Sequence, residues 1–529
     1  MNFTDALNNT TNNIAYTENG MSGYQSTNNP YLDFLYKVSS FRGKDDLELT
    51  RTCEDFLDSI IGYKSDKEYV KYLLKFILYI RDPRNGLGER TLGRELITLL
   101  FNNYYFNNKK DVFIWTINNL CTYGRWDDLI DLFFRINWAA FGAEEDEWGY
   151  SNGWQIINCL KQTLENDLKN MENNAPITLL AKWMPSINTS SATARHDARY
   201  FARHFKWSEK EYRQNLSKLR KYLKVTERKM SLQEWETIDY EKVPSLANLR
   251  YKDAFLKHDK ERREEYLSKL AKGEAKINSS VNFPHDVVHK YISSKEWWNF
   301  SLQKYDEALE QLWKNLKEIP GLKDTLVVRD DSGSMTSYIG RTGVTALEVA
   351  TALGIYCAEH CSDAYKNKII SFSKNPKYLD FSKQTSLHDK LDYLYKYSEV
   401  ANTNIRKVFQ LILKTATDNN LTQEDLPKQI LIISDMEFDE GIDFVGNPIE
   451  ESQKEFEKYG YKVPKLIFWN VNSRTNTVPI KTNELGVYLL SGFSPNVLNI
   501  LEDGLDNQFE ALIKELDKKY KEVPEITCN

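Results

Sequence analysis

Two patterns of apolar and polar residues divide this chain. From Tyr31 to about Leu322 apolar positions recur three and four apart, the spacing of helices that bury one face. Val70, Leu73, Leu74, Ile77 and Ile80 form one such stripe. Trp115, Leu120, Leu129, Leu132 and Phe133 continue the pattern past a Tyr-Gly break. Short polar breaks recur at Arg84-Asn85-Gly86-Leu87-Gly88, Tyr123-Gly124 and Asn173-Asn174-Ala175-Pro176, and strand-like alternation is not evident between them. Helices joined by short turns over such a length predict a stacked α-solenoid with diverged repeats.

The pattern changes at Leu322. Short apolar runs at Thr325–Arg329, Lys368–Phe372, Gln429–Ser434, Lys465–Val471 and Gly486–Leu490 read as buried strands. Amphipathic segments at Thr345–Cys361, Leu387–Tyr397, Asn404–Asp418, Ile449–Tyr459, Ser494–Glu502 and Asn507–Tyr520 read as helices. Strands that alternate with helices of this length predict an α/β doubly wound, mainly parallel sheet. The expected organisation is therefore an extended or partly disordered segment 1–30, a helical domain 31–322 and an α/β domain 323–529.

Within the second pattern one run carries chemistry. Residues 326–335 read L-V-V-R-D-D-S-G-S-M, an apolar strand that ends in Asp330, Ser332 and Ser334. Open α/β sheets collect ligands at the carboxyl ends of their strands. A carboxylate and two hydroxyls there make a hard oxygen cluster suited to Mg²⁺ or Mn²⁺. Thr403, at the start of a helix, supplies a third hydroxyl, with Asn402 and Asn404 as alternatives. Asp435 ends a second buried strand. Asp331 is expected to point away from a metal.

Composition narrows the partners. Of 529 residues 41% are hydrophobic and 13% aromatic, enough for sizeable cores, and the net charge is −6. An acidic balance excludes a chain that is basic overall, so any nucleic-acid site must be a local patch. The densest such patch, Arg195 to Lys229, sets twelve bases against four acids. Arg195, Arg199 and Arg203 lie four apart on one helical face. Ser208-Glu209-Lys210-Glu211 reads as a capping box that starts a new helix. The stripe then turns a corner near Lys206-Trp207 and continues through Lys210 and Arg213. Such a face suits RNA phosphates, and Tyr200, Trp207 or Tyr212 would stack on unpaired bases. The competing reading is a solvated helix face.

Other signals are weaker. Arg81, Arg84 and Arg90 flank Gly86 and Gly88, but without a dinucleotide or Walker pattern a turn between helices is the better reading. His285 and His289 stand four apart without a nearby third zinc ligand, which favours a surface helix. The six cysteines are scattered, so a reducing compartment is expected, the cytoplasm or, for a viral chain, the host cytoplasm. A secretory signal, a membrane span and a recognisable catalytic motif are all missing from the pattern, so no enzyme and no membrane attachment is expected.

Asp330, Ser332, Ser334, Thr403 and Asp435 together resemble the metal-ion-dependent adhesion site of von Willebrand factor A domains. Further strings run along the chain: T-E-N-G at 17–20, Y-Q-S-T-N-N-P-Y-L-D-F at 24–34, R-D-P-R-N-G-L-G-E-R at 81–90, Y-G-R-W-D-D-L at 123–129, A-K-W-M-P-S at 181–186 and V-P-S at 243–245. Their order ahead of a D-x-S-G-S segment resembles the DUF2828 family and, more distantly, the TROVE family of Ro-type ribonucleoproteins. The resemblance implies a HEAT-like helical ring or arc that binds RNA, followed by a von Willebrand factor A-like domain. It further implies that the serines and Thr403 bind the metal, that the two acids do so directly or through water, and that a partner's carboxylate completes the shell. The function expected is a non-catalytic ribonucleoprotein component that binds small non-coding or misfolded RNA. The alternative is a metal-dependent protein–protein adaptor, or a virus structural protein, with no RNA role.

Overall fold

The computed structural model describes residues 13–62, 67–103, 109–140, 147–294, 300–320, 322–362, 364–399, 401, 404–439, 447–480, 486–502, 504 and 506–526. They form two compact units. One comprises Thr50–Lys276 with Tyr520–Asn529, the other Met1–Leu49 with Ile277–Lys519. The chain passes between the units at 49/50, 276/277 and 519/520.

The first unit is helical. Leu73–Arg81 (α1), Arg90–Asn102 (α2), Lys110–Tyr123 (α3), Trp126–Ala140 (α4) and Glu147–Glu172 (α5) follow one another, then Ala192–Phe205 (α6) and Glu209–Tyr222 (α7). α1 packs on α2, α2 on α4, and α4 on α5. Every residue of α1 is buried, its arginine included. Arg81 meets Asp128 at 2.6 Å, Arg94 Nε lies 2.6 Å from the other oxygen of that carboxylate, and Arg94 also reaches Asp127 at 2.7 Å. The strings R-D-P-R-N-G-L-G-E-R and Y-G-R-W-D-D-L thus meet in one buried ion-pair network. The glycine loop at 86–88 is a turn, and its amides are engaged. Gly86 N and Gly88 N donate to Asp82 O, Leu87 N to Tyr79 O and Glu89 N to Ile80 O. A Cβ on Gly86 would stand 1.9 Å from Tyr79 O, so only glycine fits there.

The second unit is built on six strands. These are Thr325–Asp330 (β1), Lys368–Phe372 (β2), Lys377–Asp380 (β3), Gln429–Ser434 (β4), Lys465–Asn470 (β5) and Tyr488–Ser491 (β6). Their spatial order is β6-β5-β4-β1-β2-β3, parallel throughout except for β3 at one edge. Pro284–Tyr291 (α8), Ala346–His360 (α9), Ile405–Asp418 (α10) and Pro448–Lys458 (α11) are among its helices. Val328, Ile370, Ile430, Ile432, Phe468 and Leu489 form a core with Val408, Phe409 and Ile412 of α10. The order steps from β1 to β4 on one side and to β2 on the other, so the carboxyl end of β1 lies at a topological switch point.

The N-terminal segment joins this unit. Ile14–Tyr16 and Ser22–Tyr24 pair as an antiparallel hairpin, and Tyr24 exchanges two 2.8 Å backbone hydrogen bonds with Val478. A second small ribbon, Ile292–Ser294 with Ser301–Leu302, lies where the helical pattern predicted no strand.

Candidate functional site

β1 is buried at all six positions, and the chain leaves it through Asp331 and Ser332 into a short 3₁₀ turn, Gly333–Thr336. β4 runs beside it and ends at Ser434. Parallel pairing brings both strand ends to the same edge of the sheet, which places Asp330 near Asp435. Asp330 and Asp435 are both 0% exposed. Asp330 Oδ1 accepts from Ser332 N at 2.9 Å, and Oδ2 from Ser434 Oγ at 2.6 Å. Ser332 Oγ and Ser334 Oγ lie 3.1 Å apart, and Asp435 N donates to Sδ of the adjoining Met335 at 3.3 Å. Four of the five expected metal-site residues therefore converge, with Ser334 at the more open side. Thr403 lies outside the described residues, as does Asn402. The residues that flank them are tied to the same corner: Ala401 O accepts from Gly333 N at 2.8 Å, and Ala401 N donates to Ser373 Oγ at 2.9 Å.

The electrostatics of this corner are unbalanced. Burial pushes the Asp330 carboxyl up to about 8, and the charge of Asp435 pushes in the same direction. Burial also raises Asp435, against the pull of Arg474. Arg474 Nη1 stands 3.3 Å from Asp435 Oδ2, and its other side meets Glu18 at 2.5 Å. Buried carboxylates need a counter-charge, and this set of hard oxygens fits a small divalent cation. Among the described residues no group of three His, Cys, Asp or Glu side chains gathers as a metal site, so this cluster must draw on its hydroxyls. Asp331 turns away from the cluster and accepts from Arg329 at 3.3 Å and Ser371 Oγ at 2.8 Å.

Local pattern gave no sign of Glu437, Arg474 or Glu18. Glu437 is fully buried and accepts from Glu18 N at 2.7 Å, Arg474 N at 2.7 Å and Thr475 N at 2.9 Å. Thr17 Oγ1 donates to Phe438 O at 2.6 Å and Asn19 Nδ2 to Glu437 O at 2.6 Å. The T-E-N-G string is thus a strap over the loop that follows β4. The only signal for it in the sequence was the string itself.

The basic stripe is less uniform than its spacing. Arg195 donates to Thr189 O and Ser190 O at the start of its own helix, and Arg199 meets Glu209 at 3.2 Å. Arg203, Lys206, Lys210 and Arg213 are exposed. Lys206 adopts a left-handed conformation, φ 58°, and Ser208 caps α7, so the stripe does turn there. The expected stacking aromatics are engaged within the unit. Tyr212 is fully buried and donates to Pro185 O, Trp207 packs on Phe205 and Tyr212, and Tyr200 packs on Phe133 and His204. The histidine pair is not a surface face either: His285 is 4% exposed, and His289 Nδ1 lies 3.0 Å from Glu348. The five described cysteines are free, and no described helix is long and apolar enough to cross a membrane.

Two family models match the chain. Residues 324–526 match a domain of unknown function, DUF7788, and residues 188–323 match another, DUF2828. Along most of its length the chain is similar to Uncharacterized protein L728 of Acanthamoeba polyphaga mimivirus. The identity is 27% over 526 residues, covering 92% of this chain and 84% of that protein.

Proposed function

We propose that the sheet unit is a von Willebrand factor A-like domain that binds Mg²⁺ or Mn²⁺ and docks a protein partner through a carboxylate on that metal, without catalysis. Asp330, Ser332, Ser334 and Asp435, with Thr403, are the ligands. The observation that supports this most is the pair of fully buried carboxylates beside two paired hydroxyls at the switch point of the sheet. Two such charges in a dry corner oppose folding unless a cation or a proton neutralises them. The metal would supply that charge and leave a coordination position facing the more open Ser334 side, where an acidic partner side chain fits. Calorimetric titration with Mn²⁺ tests the reading. Wild-type protein binds one ion, and Asp330→Ala loses it while its circular dichroism is retained. Equal affinity in the two proteins would remove the assignment.

A second reading, RNA binding by the helical unit as a TROVE-like, HEAT-like ring or arc in a cytoplasmic ribonucleoprotein, draws support from the exposed cations of α6 and α7 on a chain of net charge −6. The engaged Arg195 and Arg199 weigh against it, and Arg203, Lys206, Lys210 and Arg213 weigh for it. RNA that co-purifies, dissociates steeply with salt and is lost on Arg203→Glu with Lys206→Glu is its expected signature. Clean protein that ignores added RNA at low salt would leave the metal-dependent adaptor alone.

A further inference from the structure

A second group of cations in the helical unit lines a cavity that shares Arg213 with the stripe. The segment Leu180–Ser186 folds against one face of α7 and leaves a hollow of about 590 Å³, lined by Lys182, Trp183, Arg213, Arg220, Glu227 and Arg228 among others. Four of those six are cations and one is an acid. Lys182 lies 3.6 Å from Glu227, which leaves the three arginines without a carboxylate among the described residues. Arg220 is held rigidly at the wall by three neutral acceptors. Its Nε donates to Ala181 O at 2.7 Å, its Nη1 to Ser186 Oγ at 2.7 Å and its Nη2 to Met184 O at 2.6 Å. These bonds orient the guanidinium and leave its charge unneutralised. Arg213, about two turns earlier on the same face, is exposed, and Arg228 is half-buried across the hollow.

The remaining walls mix apolar side chains with neutral polar ones, Asn188 and Ser217 among the latter. Met184, Ile187 and Leu216 line the hollow beside the half-buried indole of Trp183. A hollow of this size, with a cationic end and a flat aromatic wall, has the volume and chemistry of a small-ligand site. Planar guanidinium forks pair bidentately with carboxylates and phosphates, and three such cations around one hollow suit the more highly charged phosphate. We infer that this cavity binds a nucleotide, with its phosphate between Arg213, Arg220 and Arg228 and its base against Trp183. The source is either a free mononucleotide or one nucleotide of a single-stranded RNA. The inference deepens the RNA reading only in the second case.

The test uses the full chain and two probes, AMP and a fluorescein-labelled single-stranded oligoribonucleotide. Arg213→Gln with Arg228→Gln is the informative variant. Neither side chain makes a hydrogen bond or ion pair among the described residues, so its circular dichroism and melting are expected to match the wild type. Arg203→Gln with Lys206→Gln, on the stripe outside the cavity, is the comparison. We expect the cavity variant to bind the oligonucleotide at least about tenfold more weakly, with its salt slope reduced by about 1.4 for two lost phosphate contacts. The stripe variant should lose less affinity than the cavity variant, and AMP should displace the oligonucleotide. If the stripe variant loses affinity and the cavity variant does not, the cavity inference falls and the RNA reading stands. If AMP binds the wild type, not the cavity variant, and RNA binds neither, the cavity stands and the RNA reading falls. If neither probe binds at low salt, the cavity inference is overturned.

Discussion

Arg474 makes the proposed metal site testable in a direction that loss-of-function variants do not. Its guanidinium stands 3.3 Å from Asp435 Oδ2, on the carboxylate that a bound ion would share. Metal and guanidinium are both cations, so they compete for one carboxylate and repel each other. At an effective dielectric constant of about 20, unit charges at that distance interact by roughly 5 kcal/mol. Arg474 retains 35% of its side-chain exposure while Asp435 has none, so solvent screens the pair and a coupling of about 1–2 kcal/mol is the better expectation. Arg474→Gln removes the charge and keeps most of the bulk. Mn²⁺ should then bind about 5- to 30-fold more tightly. The assay is calorimetric titration of the metal-free protein at constant ionic strength. Lys454→Gln, which changes net charge equally at a lysine whose ion pair is with Glu451, controls for long-range effects. An Arg474→Gln protein that binds Mn²⁺ no better than wild type would refute the competition, and weaker binding would make Arg474 a support of the site.

Three further outcomes follow from the same contacts. Saturating Mn²⁺, at a hundred times its dissociation constant, should stabilise the sheet unit by about 2.7 kcal/mol in denaturant titrations, EDTA should reverse the effect, and Asp330→Ala should abolish it. Asp128→Ala strands the buried Arg81 guanidinium and should cost the helical unit about 3–5 kcal/mol, whereas the apolar pair Arg81→Met with Asp128→Leu should recover much of that; a single-variant loss below about 1 kcal/mol would contradict the network. His285 is held down to about 4 by burial between the rings of Phe283 and Phe493. Its folded value lies below its unfolded one, so the unfolded chain binds the extra proton and stability falls as pH drops from about 6.5 to 4. The full loss is about 3 kcal/mol, and it should be absent in His285→Phe when unfolding is followed across that range.

Much of the α/β unit was legible because of how its strands are buried. β1 and β4 are covered on both faces and so read as unbroken apolar runs, with the chemistry parked where each run stops. β3 was missed for the opposite reason. Its sequence K-Y-L-D buries only Leu379, and a short edge strand with one inward side chain leaves almost no periodic trace. The N-terminal hairpin was missed because its partners, Val478, Phe438 and Glu437, lie more than four hundred residues further along the chain. The basic stripe shows a different limit. Spacing located Arg195, Arg199 and Arg203 on one face, but it could not reveal that Arg195 folds back to donate to the Thr189 and Ser190 carbonyls ahead of its helix or that the left-handed Lys206 swings Glu209 back within reach of Arg199.

The strings that looked unspecific when read singly have physical reasons when read together. Thr17, Glu18 and Asn19 use both backbone and side chains to hold the loop after β4. Glu437, buried at the centre of that loop, accepts amides from the strap on one side and from Arg474 and Thr475 on the other. A buried acid with this many donors fixes the two segments against each other. The guanidinium that faces Asp435 is therefore held at its backbone by Glu437 and at its tip by Glu18. The charge beside the candidate metal ligands is set by the first twenty residues of the chain as much as by the sheet that carries those ligands. The strap and the strand ends are then parts of one candidate site, joined through a single buried carboxylate.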